Sequence, residues 1–479
     1  MNDNNFQRLL VLLLLSLSGL LLLYWLPDKV FGHKLKKVDM LSDIREKPAS
    51  LSLDSLLRQL EAQDTIIEIH KRNSVSQTSG LDSARLALRD SLYQTLYNAD
   101  GADSVGKHIE DYSAGHIGLS RFFTALKKIK TLQRPVRIAV MGDSFIEGDI
   151  FVADLRAAFQ KQFGGNGVGF VPIFSVADQF RPTINQSVEN WTTFSLQKDT
   201  THHYLLSGSF FEPKEKASLT IEPAEKYPDL NKVPSFKLYY SGIHPGHIAY
   251  TINADRDTII KDLPSKNLPG SFEIKHAFSE GTFFFWGGEN LQVYGTALEE
   301  NNGVVVDNFS LRGNSGLILN RLDIKLCNAF AEARAYDLII LQYGLNVVSE
   351  EILNYGWYRT RMIQVIRHIQ KCFPNTDILL MGVSDRAYQN GDSFETMPAV
   401  FALLHAQRQI VQITNITFWN TFGAMGGTNS MCRFVENNWA SKDYTHLSFR
   451  GGKEIAKVLY EAFMLEKKFY DKANGSIQP

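Results

Sequence analysis

Cysteine is scarce in this chain, with three in 479 residues: Cys327, Cys372 and Cys432. The number is odd, the spacing is wide, and no pair has metal-ligand separation, so each thiol is expected to act as a small buried apolar group. Neither sign of charge is in excess: Lys and Arg total 50, Asp and Glu 51, and the formal net charge is -1. An electrostatic footprint for nucleic acid is therefore missing, and no nucleic-acid partner is expected. The glycines of Gly164–Gly169 follow a helical pattern, open no helix and precede no Lys-Ser/Thr pair, which excludes a phosphate-cradling loop. The histidine pairs His202/His203 and His244/His247 lack both structural-zinc spacing and a third ligand, so they read as loop histidines. Neither a metal nor a cofactor is expected.

What is present begins with an uncharged run from Leu9 to Leu26, LLVLLLLSLSGLLLLYWL. As a helix it would span ~27 Å, close to the hydrocarbon thickness of a bilayer. Tyr24 and Trp25 sit where an interfacial anchor belongs, and no A-x-A cleavage site follows. The expectation is an uncleaved signal anchor over residues 1–33. Residues 34–133 are polar with helical spacing of apolar positions, notably in Leu81–Tyr97, and Asn73–Gly80 reads as a flexible linker. Ile109–Tyr112 and Leu119–Ile129 are expected to form a helix that packs on the domain that follows.

From residue 134 the pattern becomes α/β. Val136–Met141 is a short β-rich apolar run, and Phe151–Phe163 reads as an amphipathic helix. Alternation resumes near Val304, with strands at Asp337–Tyr343, Asp377–Val383 and Ile416–Trp419 and helices at Trp357–Lys371, Pro398–Ile413 and Lys453–Leu465. Such alternation predicts a parallel sheet covered on both faces. Between these halves, residues 170–304 carry short alternating runs broken by Pro, Gly, Asn and Asp, the pattern of an inserted β-sandwich. The core is thus discontinuous, 134–169 with 305–467, and 468–479 reads as a flexible tail. The insert's aromatics, Trp191, Tyr239, Tyr240 and Phe283–Trp286, are of the kind that stack on sugars, though alternation places most of them in the core.

Four motifs carry chemistry: Gly142-Asp143-Ser144, Gly313 within Ser310–Gly316, Gly344-Leu345-Asn346, and Asp443-Tyr444-Thr445-His446. Together they offer a hydroxyl nucleophile, a histidine base, an orienting carboxylate and donors for an oxyanion, the requirements of acyl transfer through a serine ester. Each has a structural alternative. Ser144 suits a helix N-cap, Gly313 a turn, and Asn346 the cap of the next helix, while Asp443 and His446 suit a surface pair capping the last helix. Glu147 and Asp149, close to Ser144, read as first-turn acids favouring a helix dipole rather than as paired glycosidase carboxylates. Gly142–Ile146 is not the G-x-S-x-G elbow of α/β-hydrolases.

In their order the four motifs resemble blocks I, II, III and V of the SGNH (GDSL-like) hydrolases. That resemblance implies a flavodoxin-like three-layer core, with Ser144 as nucleophile, His446 as base and Asp443 as its partner. The oxyanion hole would comprise the Ser144 and Gly313 amides and the Asn346 side chain. One departure is Val347, where the third block usually has Asp. Gly142–Arg156 and Phe163–Gly169 further resemble the bacterial peptidoglycan O-acetylesterases, which carry a carbohydrate-binding type of β-sandwich at the same place. This likeness runs from Val136 to Phe463 and leaves out the anchor and stalk.

The resemblance implies an esterase acting on an acetylated envelope glycan, and the apolar run Leu9–Leu26 implies that it is membrane-anchored. An O-acetyltransferase with the same triad, or a glycan-binding protein without activity, remains as an alternative; any partner acyltransferase is unidentified. Lys29, Lys34, Lys36 and Lys37 follow the apolar run and only Arg8 precedes it, which by charge alone favours a cytoplasmic domain. Long C-terminal domains are exported regardless of such charges, and the inferred chemistry places the domain on the outer face of the inner membrane.

Overall fold

The computed structural model describes residues 106–475, apart from 223, 225, 228, 229, 231, 254, 256 and 289, and an antiparallel pairing of Lys29–Val30 with His33–Lys34. The apolar run Leu9–Leu26, the linker Asn73–Gly80 and the helical spacing at Leu81–Tyr97 lie outside the described residues. Among the described residues no helix is long and apolar enough to cross a membrane.

Strand β1 (Ile109–Asp111) and helix α1 (Ser120–Lys127) lead into β2 (Val136–Gly142), in which Val136, Ile138 and Val140 are β-branched and which is buried along its whole length. Helix α2 (Val152–Phe163) follows. The chain then leaves for a set of antiparallel strands: β3 (Gly169–Val171), β4 (Asn185–Ser195), β5 (Ser209–Glu222), β6 (Phe236–Gly242) and β7 (Gly246–Ile252). The set continues with β8 (Ile259–Leu263), β9 (Lys266–Ile274), β10 (Gly281–Gly287) and β11 (Gln292–Leu298). β12 (Val304–Ser310) returns beside β2, in parallel register from Val304 opposite Val136 to Ser310 opposite Gly142.

The remaining elements alternate. They are α3 (Ile324–Ala333), β13 (Leu338–Gln342), α4 (Gly356–Cys372) and β14 (Asp377–Met381). A hairpin, β15 (Ala387–Asn390) and β16 (Ser393–Thr396), precedes α5 (Pro398–Thr414) and β17 (Thr417–Trp419). Helices α6 (Thr421–Ala424), α7 (Ser430–Glu436) and α8 (Phe449–Gly475) end the described chain. The six-stranded sheet runs β12-β2-β13-β14-β17-β1, all parallel except β1. Helices α1, α2 and α8 pack together on it, while α3 and α5 pack on α4.

Three expectations need correction. Ile109–Asp111 is an edge strand antiparallel to β17, not part of a helix, because Ile109 is fully buried there while Glu110 reaches Arg408 at 3.0 Å. Residues 106–133 therefore belong to the sheet domain rather than to a stalk. The expected flexible tail is helical to Gly475, since α8 keeps an apolar stripe through Phe463, Phe469 and Ala473. Near its end the Tyr470 ring lies 5.5 Å from Phe123.

The third concerns the antiparallel region, whose nine strands form one hydrogen-bonded sheet. That sheet folds over itself. Phe236 of β6 stacks on Phe283 of β10 at 4.2 Å, although β5 and β11 separate those strands in hydrogen-bonded order. Long β5 makes the turn possible: Ala217–Ile221 pairs with β10, and Phe211 pairs with β11.

A cluster of buried charges joins the folded sheet to the parallel one. Arg334, wholly buried after α3, donates to Glu299 at 2.6 Å, to Asp307 of β12 at 2.8 Å and to the Tyr239 hydroxyl of β6 at 3.1 Å. Arg137 of β2 donates to Glu299 at 2.7 Å, and the Tyr336 hydroxyl donates to Asp307 at 2.6 Å. Asp307 also accepts from the Phe170 N–H at 2.7 Å, where a Cβ on Gly169 would stand 2.3 Å from the same carboxylate. Two guanidinium groups face two carboxylates, so the cluster is neutral and fully hydrogen-bonded at its carboxylates.

Removing one partner from such a cluster strands a buried charge, at a cost of about 3–5 kcal/mol. Glu299→Gln is expected to lower the urea midpoint of unfolding strongly at neutral pH. Burial alone would raise the Glu299 carboxyl, but Arg137 and Arg334 outweigh it and hold the group at about 2, below its ordinary 4.5. Its contribution is present above the ordinary value and lost as the pH falls toward the depressed one, so variant and wild-type midpoints should converge in acid. Equal midpoints at neutral pH would contradict this account.

Candidate active site

Apolar strands β2, β12 and β13 end at one edge of the parallel sheet, and the chain emerging from each carries a motif. After β2 come Asp143 and Ser144. The Asp143 carboxylate accepts the Phe145 N–H at 2.9 Å and so turns the chain sharply. Helix α2 begins only at Val152, with Phe151 as its N-cap. Ser144 is thus not a helix cap, and its hydroxyl is partly exposed at the sheet edge.

The loop before α8 brings the partners. Ser144 Oγ lies 3.1 Å from His446 Nε2, and His446 Nδ1 lies 2.7 Å from Asp443 Oδ2. The other Asp443 oxygen accepts the backbone N–H groups of Thr445 and His446, both at 3.0 Å. Burial would raise the Asp443 carboxyl, but these bonds outweigh it and hold it below the usual range. His446 and Asp443 therefore share a short loop whose backbone fixes the carboxylate toward the ring. Both side chains are about half exposed, at 47% and 50%.

Hairpin β15–β16 braces this loop. Phe394 stacks on Tyr444 at 3.8 Å, and the Ala387 N–H donates to the Tyr444 carbonyl at 3.1 Å. Tyr444 takes φ +54°, a left-handed conformation that this stacking helps to hold. Neither the hairpin nor its role was expected from the sequence.

After β12, the Leu311 N–H donates to the Gly142 carbonyl at 2.8 Å and the Asn314 N–H to the Leu311 carbonyl at 3.2 Å. Gly313 sits in that turn at φ +71°, with nothing within 4 Å of where a Cβ would be. Glycine is needed there for backbone conformation rather than for space. Among the described residues no acceptor takes the N–H of Ser144 or of Gly313. Arg312 pins the turn to the loop that follows Ser144, its Nε 2.8 Å from Glu147 Oε2. Glu147 is thus ion-paired across the site, and Asp149 is wholly buried against Arg156 and Arg181. Neither serves the helix dipole as expected.

Asn346 follows β13, and it does not cap α4, whose N-cap is Tyr355. Its amide nitrogen donates to Asp143 Oδ2 at 2.9 Å and to the Asn314 carbonyl at 3.0 Å. Both amide hydrogens are thereby used, whereas those of Ser144 and Gly313 are free. To meet an oxyanion, Asn346 must exchange one of these bonds.

The other sequence candidates lie apart from this group. His202 pairs with Asp199, His203 with Asp323 at 2.9 Å, and His247 with Asp262 at 3.0 Å. Cys327 and Cys372 are buried, while Cys432 is only partly so. Of the insert's aromatic run, Phe283 and Phe285 are buried, whereas Phe284 and Trp286 face solvent at 41% and 37% exposure. Sequence reasoning missed Arg312, Asn314 and Phe394. Arg312 stands beside Gly313 and opposite an acid, but only the fold reveals that pairing.

The arrangement can perform acyl transfer: a hydroxyl beside a histidine nitrogen, the other nitrogen on a carboxylate, and unspent N–H groups from the adjoining turns. Comparison with solved structures shows the same fold in a protein described as "Peptidoglycan O-acetylesterase in action, 5 min". It matches with a TM-score of 0.61 and 20% identity over 75% of this chain and 99% of that one. A family two carbohydrate esterase from Cellvibrio japonicus scores 0.25 at 11% identity, covering 59% of this chain and 99% of its own. An acetyl xylan esterase, AlAXEase, scores 0.24 at 16% identity, covering 33% and 81%. Those two scores are too low to bear on the fold. No protein-family model matches the sequence, and no curated protein is significantly similar to it.

Burial raises the Asp143 carboxyl to about 6, against the opposing bonds from Phe145 and Asn346. A carboxyl raised in the folded state favours folding at low pH and loses that contribution as the pH rises through the raised value. Asp143→Asn, which cannot ionise, should therefore gain on the wild type in melting temperature as the pH goes from about 4 to about 7. A melting difference that stays flat over that range would show that Asp143 does not titrate there.

Proposed function

We propose that the protein is a serine esterase that removes O-acetyl groups from a cell-wall or envelope polysaccharide of the peptidoglycan type. The observation that carries this reading is the hydrogen-bonded chain from Ser144 through His446 to Asp443, standing beside two unspent backbone N–H groups. The shared fold with a peptidoglycan O-acetylesterase over 75% of the chain supports the substrate class. The apolar run Leu9–Leu26 supports tethering to the inner membrane, and an envelope substrate would place the enzyme on its outer face, against the charge bias of the flanking lysines.

In this reading Ser144 Oγ attacks the acetyl carbonyl carbon as His446 Nε2 takes its proton. Asp443 holds the Nδ1–H and stabilises the imidazolium that results. The carbonyl oxygen becomes an oxyanion that accepts from the Ser144 and Gly313 N–H groups, and from Asn346 once that amide exchanges a bond. Collapse expels the sugar alkoxide, which takes the proton from His446 and leaves acetyl-Ser144. Water, deprotonated by His446, then attacks the acetyl carbon, and acetate departs as Ser144 is reprotonated. No cofactor enters any step. Acetyl transfer to a second sugar would use the same acyl-enzyme, but the half-exposure of His446 and Asp443 favours water as the acceptor.

The test is hydrolysis of p-nitrophenyl acetate, and acetate release from O-acetylated peptidoglycan, by the full-length chain and its Ser144→Ala variant. Both activities are expected to fall by several orders of magnitude in the variant. Equal rates in the two proteins, or none in either, would sink the esterase reading.

A further inference from the structure

Two of the three cysteines meet in the core. Cys327 lies within α3 and Cys372 ends α4, and both side chains are wholly buried in the apolar cluster of the parallel-sheet domain. The Cys327 thiol hydrogen-bonds to the Cys372 sulfur, so no other side chain stands between them. Their backbones are clasped at the same point. Asn328, the neighbour of Cys327, donates its amide nitrogen to the Cys372 carbonyl at 2.7 Å and to the Lys371 carbonyl at 3.2 Å. Cys432 has a different partner, the Phe394 carbonyl, at 3.3 Å.

The contact is polarised. Cys327 gives its S–H to Cys372, and that bond holds the Cys372 thiol below its ordinary value while raising Cys327. Of the two, Cys372 is therefore the one that reaches the thiolate form, which is the nucleophile in thiol–disulfide exchange.

The two helices also hold functional parts of the fold. α3 leads directly into Arg334 of the buried charge cluster. α4 holds the segment that carries Gly313, for the Tyr358 hydroxyl donates to the Ser315 carbonyl at 3.2 Å and His368 Nε2 lies 2.7 Å from the Leu322 carbonyl. A covalent link between α3 and α4 would tie the cluster to that segment.

We propose that Cys327 and Cys372 are a modification site, at which the two thiols oxidise to an intrachain disulfide that joins α3 to α4. The oxidant is an external disulfide. The Cys372 thiolate attacks one of its sulfurs and expels a thiolate, leaving a mixed disulfide on Cys372. Cys327, once deprotonated, attacks the Cys372 sulfur and expels the second thiolate. The two cysteines lose two electrons and two protons, and the external disulfide gains them as two thiols. Because both sulfurs are buried, exchange takes place as the chain folds or when α3 and α4 part locally. An envelope location would supply such oxidants, whereas a reducing cytoplasm would keep the thiols. The proposal does not depend on the esterase reading.

The test incubates the reduced full-length protein with oxidised glutathione at the highest urea concentration at which it stays folded. Incubation continues until iodoacetamide, in a parallel sample without oxidant, has labelled both thiols, so that access is assured. The remaining thiols are then alkylated in denaturant and the peptides are weighed by mass spectrometry. The peptides of Cys327 and Cys372 are expected to be joined, lighter by two hydrogens than their sum, with Cys432 outside the link. The oxidised protein should melt roughly 5 °C above the reduced one, a gain that dithiothreitol reverses and Cys372→Ser lacks. Cys327 and Cys372 recovered alkylated, each carrying glutathione, or linked to Cys432 would overturn the proposal and leave the esterase reading intact. Should Cys372→Ser fail to fold, the wild-type peptide map decides alone.

Discussion

The structure depends on the buried meeting of Arg334 and Arg137 with Glu299 and Asp307. Tyr239 comes from one sheet, Arg137 and Asp307 come from the other, and Glu299 lies on the chain returning between them. Charges this deep are stable only when paired and hydrogen-bonded, so the geometry of each sheet is tied to that of the other. The consequence reaches the site. Asp307 lies on β12, which also carries Asn308 and Ser310 and leads directly to the Gly313 turn. A shift of the antiparallel sheet would therefore move the Gly313 turn with it.

At the site, electrostatics and connectivity divide the labour. Asp443 receives two backbone N–H bonds within its own short loop and stays ionised, so it can orient His446 without help from distant elements. The proposed oxyanion donors belong to three separate strand ends, and they are prepared to different degrees. Ser144 and Gly313 hold their N–H groups free, whereas Asn346 is held between Asp143 and the Asn314 carbonyl. Preorganised donors act without reorganisation at the moment of reaction, so in the proposed reaction the two backbone groups would carry the larger share. Asn346 is ordered by its partners until a stronger acceptor arrives.

Much of this was legible in the sequence. Strands β13 and β14 announce themselves as short apolar runs, because a sheet covered on both faces has no polar side. Three of the four site motifs follow strands of this sheet, so their gathering at one edge could be anticipated from topology. Ile109–Asp111 was not legible, since three residues are too few for a period to show. The end of α8 was hidden by its charged surface residues, although Phe469 and Ala473 continue the buried stripe. Glu147 and Asp149 look alike in sequence, yet one pairs across the cleft with Arg312 and the other is buried under Arg156 and Arg181. Only the long-range pairing of β12 with β2 separates them. The same holds for Phe394, whose contact with Tyr444 joins segments far apart in the chain.

The central claim is that Ser144 carries the acetyl group between glycan and water. It is tested most directly by rapid acid quench of the full-length protein during turnover of O-acetylated glycan, followed by mass spectrometry of its peptides. One acetyl group on the peptide containing Ser144, appearing during turnover and gone once substrate is exhausted, is the expected result. Acetate release with no acetylated peptide at any quench time, or with acetyl on another residue, would contradict the account.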